Sequence, residues 1–334
     1  MVMPERRTGA GLLLETLEGP IRYALLDWAL TSGIFDLCQA AVTPELLSKR
    51  MGLPPASLAL ALKALVAAGF MQRDGSGFYT APDILPFVTN GSARNMRETL
   101  RSMAQTRHAQ LDRFGDLVAG ISVAEGPRLF DDAHWDANHR SLAAFHEAIA
   151  ADAMEPCLTG LPEWEKAHNL LEVGAGSAVL TRRLLAKRPD INITLFDLPP
   201  VARRIQDEVH DLPLTVVPGN YNKELPDGAF DIIWCSMTLY FHDQGLGSLI
   251  RRLSDLLTPG GVLVSFHEAL TDNRTGPAEH VLGRLIPALR QGDVSFADGE
   301  ITEAMAEAGL THPTTQLVST PFGRFRLDAA RKEA

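Results

Sequence analysis

Leu170-Leu171-Glu172-Val173-Gly174-Ala175-Gly176-Ser177-Ala178 decides how this chain folds. An apolar run ends in two glycines one residue apart, and the helical pattern Val179–Ala186 follows. That order predicts a buried strand, a tight turn and a helix. Glycines let the backbone turn sharply and let a ligand lie close to it. The full dinucleotide pattern G-x-G-x-x-G is not met, because Val179 holds the place of the last glycine. Taken alone, these residues also suit a turn with a purely structural role.

The next strand narrows the choice. Thr194-Leu195-Phe196-Asp197 ends in an acid, 25 residues after Glu172. A carboxylate at the end of the second strand can accept both hydroxyls of a ribose. A lone Asp there is usually a helix cap; beside a glycine turn, the ribose role is the better reading. NAD and S-adenosyl-L-methionine both fit such a crevice. NAD needs the third glycine and a helix N-terminus facing its pyrophosphate. S-adenosyl-L-methionine has no phosphate, so the looser E-x-G-x-G suits it better.

Working outward, strand-like and helical runs alternate from Trp164 onward. Strand patterns cover Leu170–Val173, Ile193–Phe196, Leu214–Val217, Ile232–Cys235 and Val262–Phe266. Helical patterns lie near Val179–Ala186, Val201–Val209 and Leu246–Leu257. This predicts an α/β, Rossmann-like doubly wound sheet over residues 161–334. Residues 1–160 then form a separate domain, with the boundary near 155–165.

That first part reads as helical. Leu25, Leu26, Ala29 and Leu30 share one helical face before Gly33. Thr43-Pro44-Glu45 starts another helix, with Thr at the N-cap and Pro in the first turn, and it stops at Gly52. A third spans Ser57–Ala68, and Phe70–Gln72 and Phe78–Thr80 flank Asp74-Gly75-Ser76-Gly77 as a hairpin. Helix, turn, helix, hairpin is the winged-helix order. A DNA reader needs phosphate- and base-contacting side chains on its second helix. Here Lys63 is the sole cation of Ser57–Ala68, so a dimerisation role is the better expectation. Phe145, Ile149 and Met154 read as core or dimer interface.

Composition agrees. The 334 residues exceed one ordinary domain, and 46% are hydrophobic, which is enough for a core. A net charge of −10 argues against nucleic acid as a partner. Cys38, Cys157 and Cys235 form no disulfide framework or metal knuckle, which favours a reducing compartment and a cytoplasmic protein. Leu12–Leu14 is too short for a signal-peptide core, and no run reaches the ~20 apolar residues of a membrane span. No metal, membrane or nucleic-acid partner is expected.

The chain resembles the bacterial members of the caffeate-type small-molecule O-methyltransferase family. Glu172–Ala178, Phe196-Asp197-Leu198-Pro199, Gly219-Asn220-Tyr221, Thr258-Pro259-Gly260-Gly261 and Ala308-Gly309-Leu310 carry that resemblance. It implies the class I methyltransferase fold with an N-terminal winged-helix dimerisation domain. It also implies S-adenosyl-L-methionine, a homodimer and a small-molecule acceptor held between two domains. Glu172, Gly174 and Gly176 would cradle the methionine end. Asp197 would hold the ribose, Leu198 would pack on the adenine, and Tyr221 would flank it. Asn220 stands where the family usually has an Asp meeting the adenine amine; an amide oxygen can still accept that bond. Ser236, at the end of the fourth strand, is counted with these residues.

The catalytic position departs from the family. Methyl transfer to a phenol is helped by a positioned base. The family places a His nine residues after the acid that begins the fourth strand; nine residues after Asp231 stands Tyr240. In the segment Met237-Thr238-Leu239-Tyr240-Phe241-His242-Asp243, a His-Asp pair follows two residues late. Either a local shift makes His242 the base, or the register holds and Tyr240 replaces it. The second reading resembles the bacteriochlorophyll ring-methylating members, which pair such a Tyr with a later His, here His280. His267-Glu268, at the end of the following strand, could orient the acceptor, although a simple strand end is the first reading. Met103, His108, Trp135 and Arg284 are candidates for the acceptor pocket.

The leading expectation is therefore a methyltransferase acting on a small cyclic or aromatic natural product or pigment. O-methylation comes before C-methylation. One alternative keeps the fold and cofactor for decarboxylation, hydroxylation or pericyclic chemistry. Another is a winged-helix transcription regulator.

Overall fold

The structure, a computed structural model, describes residues 9–121 and 132–333. These form two compact units, Met1–Arg97 and Glu98–Ala334.

In the first unit the helices are Gly9–Thr16, Gly19–Ser32, Ile34–Leu37, Pro44–Met51, Pro55–Ala67 and Leu85–Val88. Thr43 caps Pro44–Met51 by accepting a hydrogen bond from the Leu46 amide, a cap worth ~1 kcal/mol. Leu58, Leu62 and Leu65 of Pro55–Ala67 are buried, as their helical spacing demands, and Lys63 points to solvent. Strands β1 (Met71–Asp74) and β2 (Gly77–Thr80) form an antiparallel hairpin. Leu12, Leu13 and Leu14 on the first helix, Leu17 in the turn after it and Ile21 on the second helix are exposed.

The second unit is built on a seven-stranded sheet. Its members are β3 (Asn169–Val173), β4 (Asn192–Asp197), β5 (Thr215–Pro218), β6 (Phe230–Ser236) and β7 (Leu257–His267). Two short strands follow, β8 (Ala269–Leu270) and β9 (Phe296–Ala297). The last pair is β10 (Thr311–Thr320) and β11 (Gly323–Arg331). The order across the sheet is β10-β11-β7-β6-β3-β4-β5. Strands β5, β4, β3, β6 and β7 are parallel, whereas β11 runs antiparallel to both β7 and β10. The sequence expectation of a doubly wound sheet holds, and the closing pair β10–β11 extends it. Leu170 to Val173 are all buried, because helices cover both faces of the parallel strands.

The division at Arg97 comes about sixty residues before the one read from the sequence at 160. Packing explains the difference. The helix Asp132–Phe145 lies on Pro199–Glu208, and Ala151–Thr159 lies on Val179–Lys187. Phe145, Ile149 and Met154 are buried in this unit. Helices that cover a sheet share its core, although their sequence has no strand among them. Among the described residues no helix is long and apolar enough to cross a membrane.

Candidate functional site

The chain leaves β3 toward β4 on one side and reaches β6 on the other, so the strand order reverses at the carboxyl end of β3. Open α/β sheets bind their ligands at such a switch point. A cavity of about 760 Å³ opens there. All eight residues expected to bind the cofactor line it: Glu172, Gly174, Gly176, Asp197, Leu198, Asn220, Tyr221 and Ser236. Tyr240, His242 and His280 line it too, so the structure brings all three catalytic candidates to one cavity. Met103, Trp135 and Arg284 are also in its wall; His108 is not among the lining residues.

The glycine turn is specific in a way that can be measured. Gly174 and Gly176 both have φ of +66°, a region L side chains avoid. A Cβ on Gly174 would lie 2.0 Å from Thr238 Oγ1, and one on Gly176 would lie 2.5 Å from Leu142 Cδ2. Hence neither position has room for a side chain.

Two carboxylates face the cavity beside this turn. Asp197 accepts hydrogen bonds from the Gly176 and Leu198 amides, each at 2.7 Å. Glu172 accepts one from Thr181 Oγ1 at 2.8 Å. No ion pair reaches either carboxylate among the described residues. Burial pushes the Asp197 carboxyl up to about 6, against the pull of its two amide donors. Burial, with the nearby Asp197 charge, pushes Glu172 up to about 8. Two buried acids without a cation suit a ligand that carries positive charge and hydroxyls. The residues therefore fit S-adenosyl-L-methionine.

The remaining wall of this end is fixed from within. Asn220 Oδ1 accepts from the Asn222 amide at 2.9 Å and holds the loop after β5 in a turn. Tyr221 donates its hydroxyl to the Thr238 carbonyl at 2.7 Å. Ser236 donates to Met154 Sδ at 3.0 Å. His146 is a cavity residue the sequence reading missed. It starts a π-helical turn, His146–Ala150, and its Nδ1 is hydrogen-bonded to Ser177 Oγ at 2.7 Å. Burial, together with the nearby His139, pushes His146 down to about 4, so it is neutral. No local pattern shows which helix crosses a strand end, which is why His146 was not legible.

The other end of the cavity is organised around Tyr240, on a short 3₁₀ turn, Leu239–Phe241. Its ring stacks on Phe296 at 5.2 Å. Its hydroxyl donates to Glu268 Oε2, and the other oxygen of Glu268 pairs with Arg284. The Arg284 guanidinium also lies over the Tyr240 ring, 4.3 Å from its centre. Burial raises the Tyr240 phenol above its ordinary range although Arg284 opposes this, so the phenol keeps its proton. Glu268 is thus a cavity residue and more than a strand end, and Arg284 is its partner.

The three histidines differ. His267 Nε2 accepts from the Thr238 and Leu239 amides, both at 3.0 Å, and its Nδ1 meets Ser265 Oγ at 2.8 Å. Burial, aided by Arg284, pushes it down to about 3, so it is a neutral support for the turn. His280 donates its Nε2 proton to the Arg324 carbonyl at 2.7 Å and packs edge-on to Phe325. His242 stacks on Phe296, and its buried Nδ1 has no hydrogen-bond partner among the described residues.

Comparison with known proteins agrees with this geometry. The family described as "Methyltransferase domain" matches residues 171–263, from β3 into β7. The tetracenomycin polyketide synthesis 8-O-methyl transferase TcmO of Streptomyces glaucescens is 24% identical over 296 residues, covering 82% of this chain and 83% of that protein. Among solved structures, an O-methyltransferase family protein from Burkholderia thailandensis has a TM-score of 0.77 at 21% identity, covering 98% and 99% of the two chains. Human N-acetylserotonin methyltransferase in complex with SAM has a TM-score of 0.78 at 16% identity, covering 100% of each chain. These structures share the fold. With two uncompensated acids at a glycine turn inside a methyltransferase domain, the chain is an S-adenosyl-L-methionine-dependent methyltransferase that resembles the small-molecule O-methyltransferases.

Proposed function

We propose that the protein transfers a methyl group to a hydroxyl of a small cyclic or aromatic natural product or pigment. The observation that carries this reading is one cavity with two chemically different ends: acids without a cation at the glycine turn, and a neutral aromatic wall around Tyr240. The similarity to TcmO, an 8-O-methyl transferase of polyketide synthesis, supports an oxygen acceptor.

In this reading Glu172, Gly174 and Gly176 hold the amino-acid end of the cofactor, and Ser236 borders it. Asp197 holds the ribose hydroxyls. Leu198 and Tyr221 flank the adenine, and Asn220 meets its amine. The cofactor supplies a methyl group on a sulfonium. The residues of the chain bind it, keep water out and aim the acceptor, which is what an in-line displacement needs from a protein. Tyr240 is the group that meets the acceptor. A second reading gives that role to His242, favoured by its unpartnered Nδ1. His280, with one nitrogen committed to a backbone carbonyl, orients the acceptor.

Calorimetry with S-adenosylhomocysteine tests the cofactor end; no binding at high micromolar concentration would sink the reading. A mass-spectrometric screen with labelled cofactor over hydroxylated aromatics tests the acceptor end. Turnover on carbon alone would replace O-methylation by C-methylation.

The first unit is proposed as a winged-helix dimerisation domain in a cytoplasmic homodimer. The exposed Leu12, Leu13, Leu14, Leu17 and Ile21 support this, since such a patch calls for a cover. Sedimentation at a monomer mass would end that proposal.

A further inference from the structure

We propose that Glu268 is the terminal proton acceptor of methyl transfer, that Tyr240 relays the proton to it, and that the site therefore selects acceptors bearing a phenolic or enolic hydroxyl. This rests on the methyl-transfer reading above and names the chemistry of its acceptor.

A phenolic hydroxyl has one proton and two lone pairs. Tyr240 gives its proton to Glu268 Oε2. What its oxygen can still offer the cavity is lone pairs. An acceptor group that meets it must donate, as a hydroxyl does and a carbonyl or ether does not. A mismatched acceptor leaves a buried polar group unpaired, which makes such sites discriminating.

Arg284 fixes the direction of this hydrogen bond. It pairs with Glu268 and lies over the Tyr240 ring, and an adjacent opposite charge favours the carboxylate form that accepts. The neighbouring groups do not compete. His267 spends Nε2 on two amides and Nδ1 on Ser265. Tyr240 is packed by Phe241, His267 and Phe296, which holds its ring in place.

The proton balance closes without a further reactant. As the acceptor oxygen bonds to the methyl carbon and the carbon–sulfur bond breaks, the acceptor O–H proton moves to the Tyr240 oxygen. Tyr240's own proton moves to Glu268. A cationic sulfonium, a neutral hydroxyl and a carboxylate become a neutral thioether, a methyl ether and a carboxylic acid. Tyr240 starts and ends neutral, consistent with a phenol whose pKa is raised by burial. Glu268 then returns the proton to solvent when product leaves. Arg284 acts through Glu268 and is a positioning residue.

Two measurements decide the proposal. The first needs no acceptor. Tyrosine-labelled protein saturated with S-adenosylhomocysteine should show a deshielded, slowly exchanging hydroxyl proton by NMR. Tyr240→Phe should remove it, and Glu268→Gln should move it upfield. A spectrum without it, or one unchanged in Glu268→Gln, overturns the relay. The second uses catechol and 1,3-dihydroxynaphthalene as acceptors. Tyr240→Phe and Glu268→Gln should each lower kcat about 100-fold with S-adenosylhomocysteine affinity kept, and Glu268→Gln should remove the acid limb of the kcat–pH profile. Arg284→Lys should restore part of what Arg284→Met loses. Turnover within about threefold of wild type in either variant overturns the proposal. If S-adenosylhomocysteine binds and neither phenol is methylated, the acceptor reading fails while the hydroxyl proton still decides the hydrogen bond.

Discussion

The two ends of the cavity use the same residue type in opposite ways. Glu172 and Asp197 are buried acids with no ion-pair partner among the described residues, His139 acting on Asp197 only from a distance, whereas Glu268 is a buried acid that pairs with Arg284. At the glycine turn burial raises both carboxyls, Asp197 to about 6 and Glu172 to about 8, so Glu172 keeps its proton at neutral pH until a cationic ligand favours its loss. At the Tyr240 wall the charge is cancelled inside the protein, and the surface offered to an acceptor is a neutral hydrogen-bonding one. One end is built to attract a cation, and the other is built to sort neutral groups by donor and acceptor.

Mutations can break this contrast. The largest effect is expected from Asp197→Ala, which removes the amide-bound carboxylate and with it the proposed ribose partner. Calorimetry should find S-adenosylhomocysteine binding weakened by about 100-fold or more, the loss of roughly two charge-assisted hydrogen bonds. The same measurement on Glu268→Gln should be unchanged, since that acid faces the other end.

Gly174→Ala comes next. Its Cβ would sit 2.0 Å from Thr238 Oγ1 at φ +66°, so overpacking adds to strain. A cost of about 2–4 kcal/mol is expected from thermal melting. Gly33→Ala is the control: φ is +73° there, but nothing lies within 4 Å, so only the backbone strain of about 1 kcal/mol remains.

The pH dependence sharpens the comparison. Glu172 is raised in the folded state to about 8 from 4.5. Between those values the folded protein holds a proton that the unfolded chain has released. Its contribution to stability is therefore full below about 4.5 and is lost as pH rises through about 8. Cofactor-free protein should melt at lower temperature as pH climbs through that window, and Glu172→Gln should flatten the slope. S-adenosyl-L-methionine should bind more tightly over the same rise, because the ammonium of its amino-acid end favours the ionised Glu172 carboxylate.

The smallest effect belongs to His146. Removing its bond to Ser177 with His146→Ala should weaken S-adenosylhomocysteine binding by roughly fivefold, the worth of one neutral hydrogen bond.

The same contrast explains what could be read from the sequence. The cofactor end is local. Glu172, Gly174 and Gly176 lie within five residues, and Asp197 follows at the next strand end, so the chemistry has a spacing. The Tyr240 wall has none. Glu268 comes from the end of β7 and Arg284 from the helix Ala278–Gln291, and only the fold brings them to Tyr240. His146 has the same problem from a helix before the sheet. The antiparallel β10–β11 pair lies beyond the strand–helix alternation that identified the rest. The helices and hairpin of the first unit were legible because Pro44, Gly52 and the Asp74–Gly77 turn punctuate them.

Thr238 joins the two ends. Its side chain fills the space that Gly174 leaves, its carbonyl takes the Tyr221 proton, and its amide is held by His267. The acceptor wall thus hangs from a pin set in the cofactor turn. Evolution or design is then free to redraw acceptor preference downstream of that pin, at residues 240–243 and along Ala278–Gln291, while the methyl donor's seat stays put. An insertion upstream of it, between Ser236 and Thr238, would unseat both.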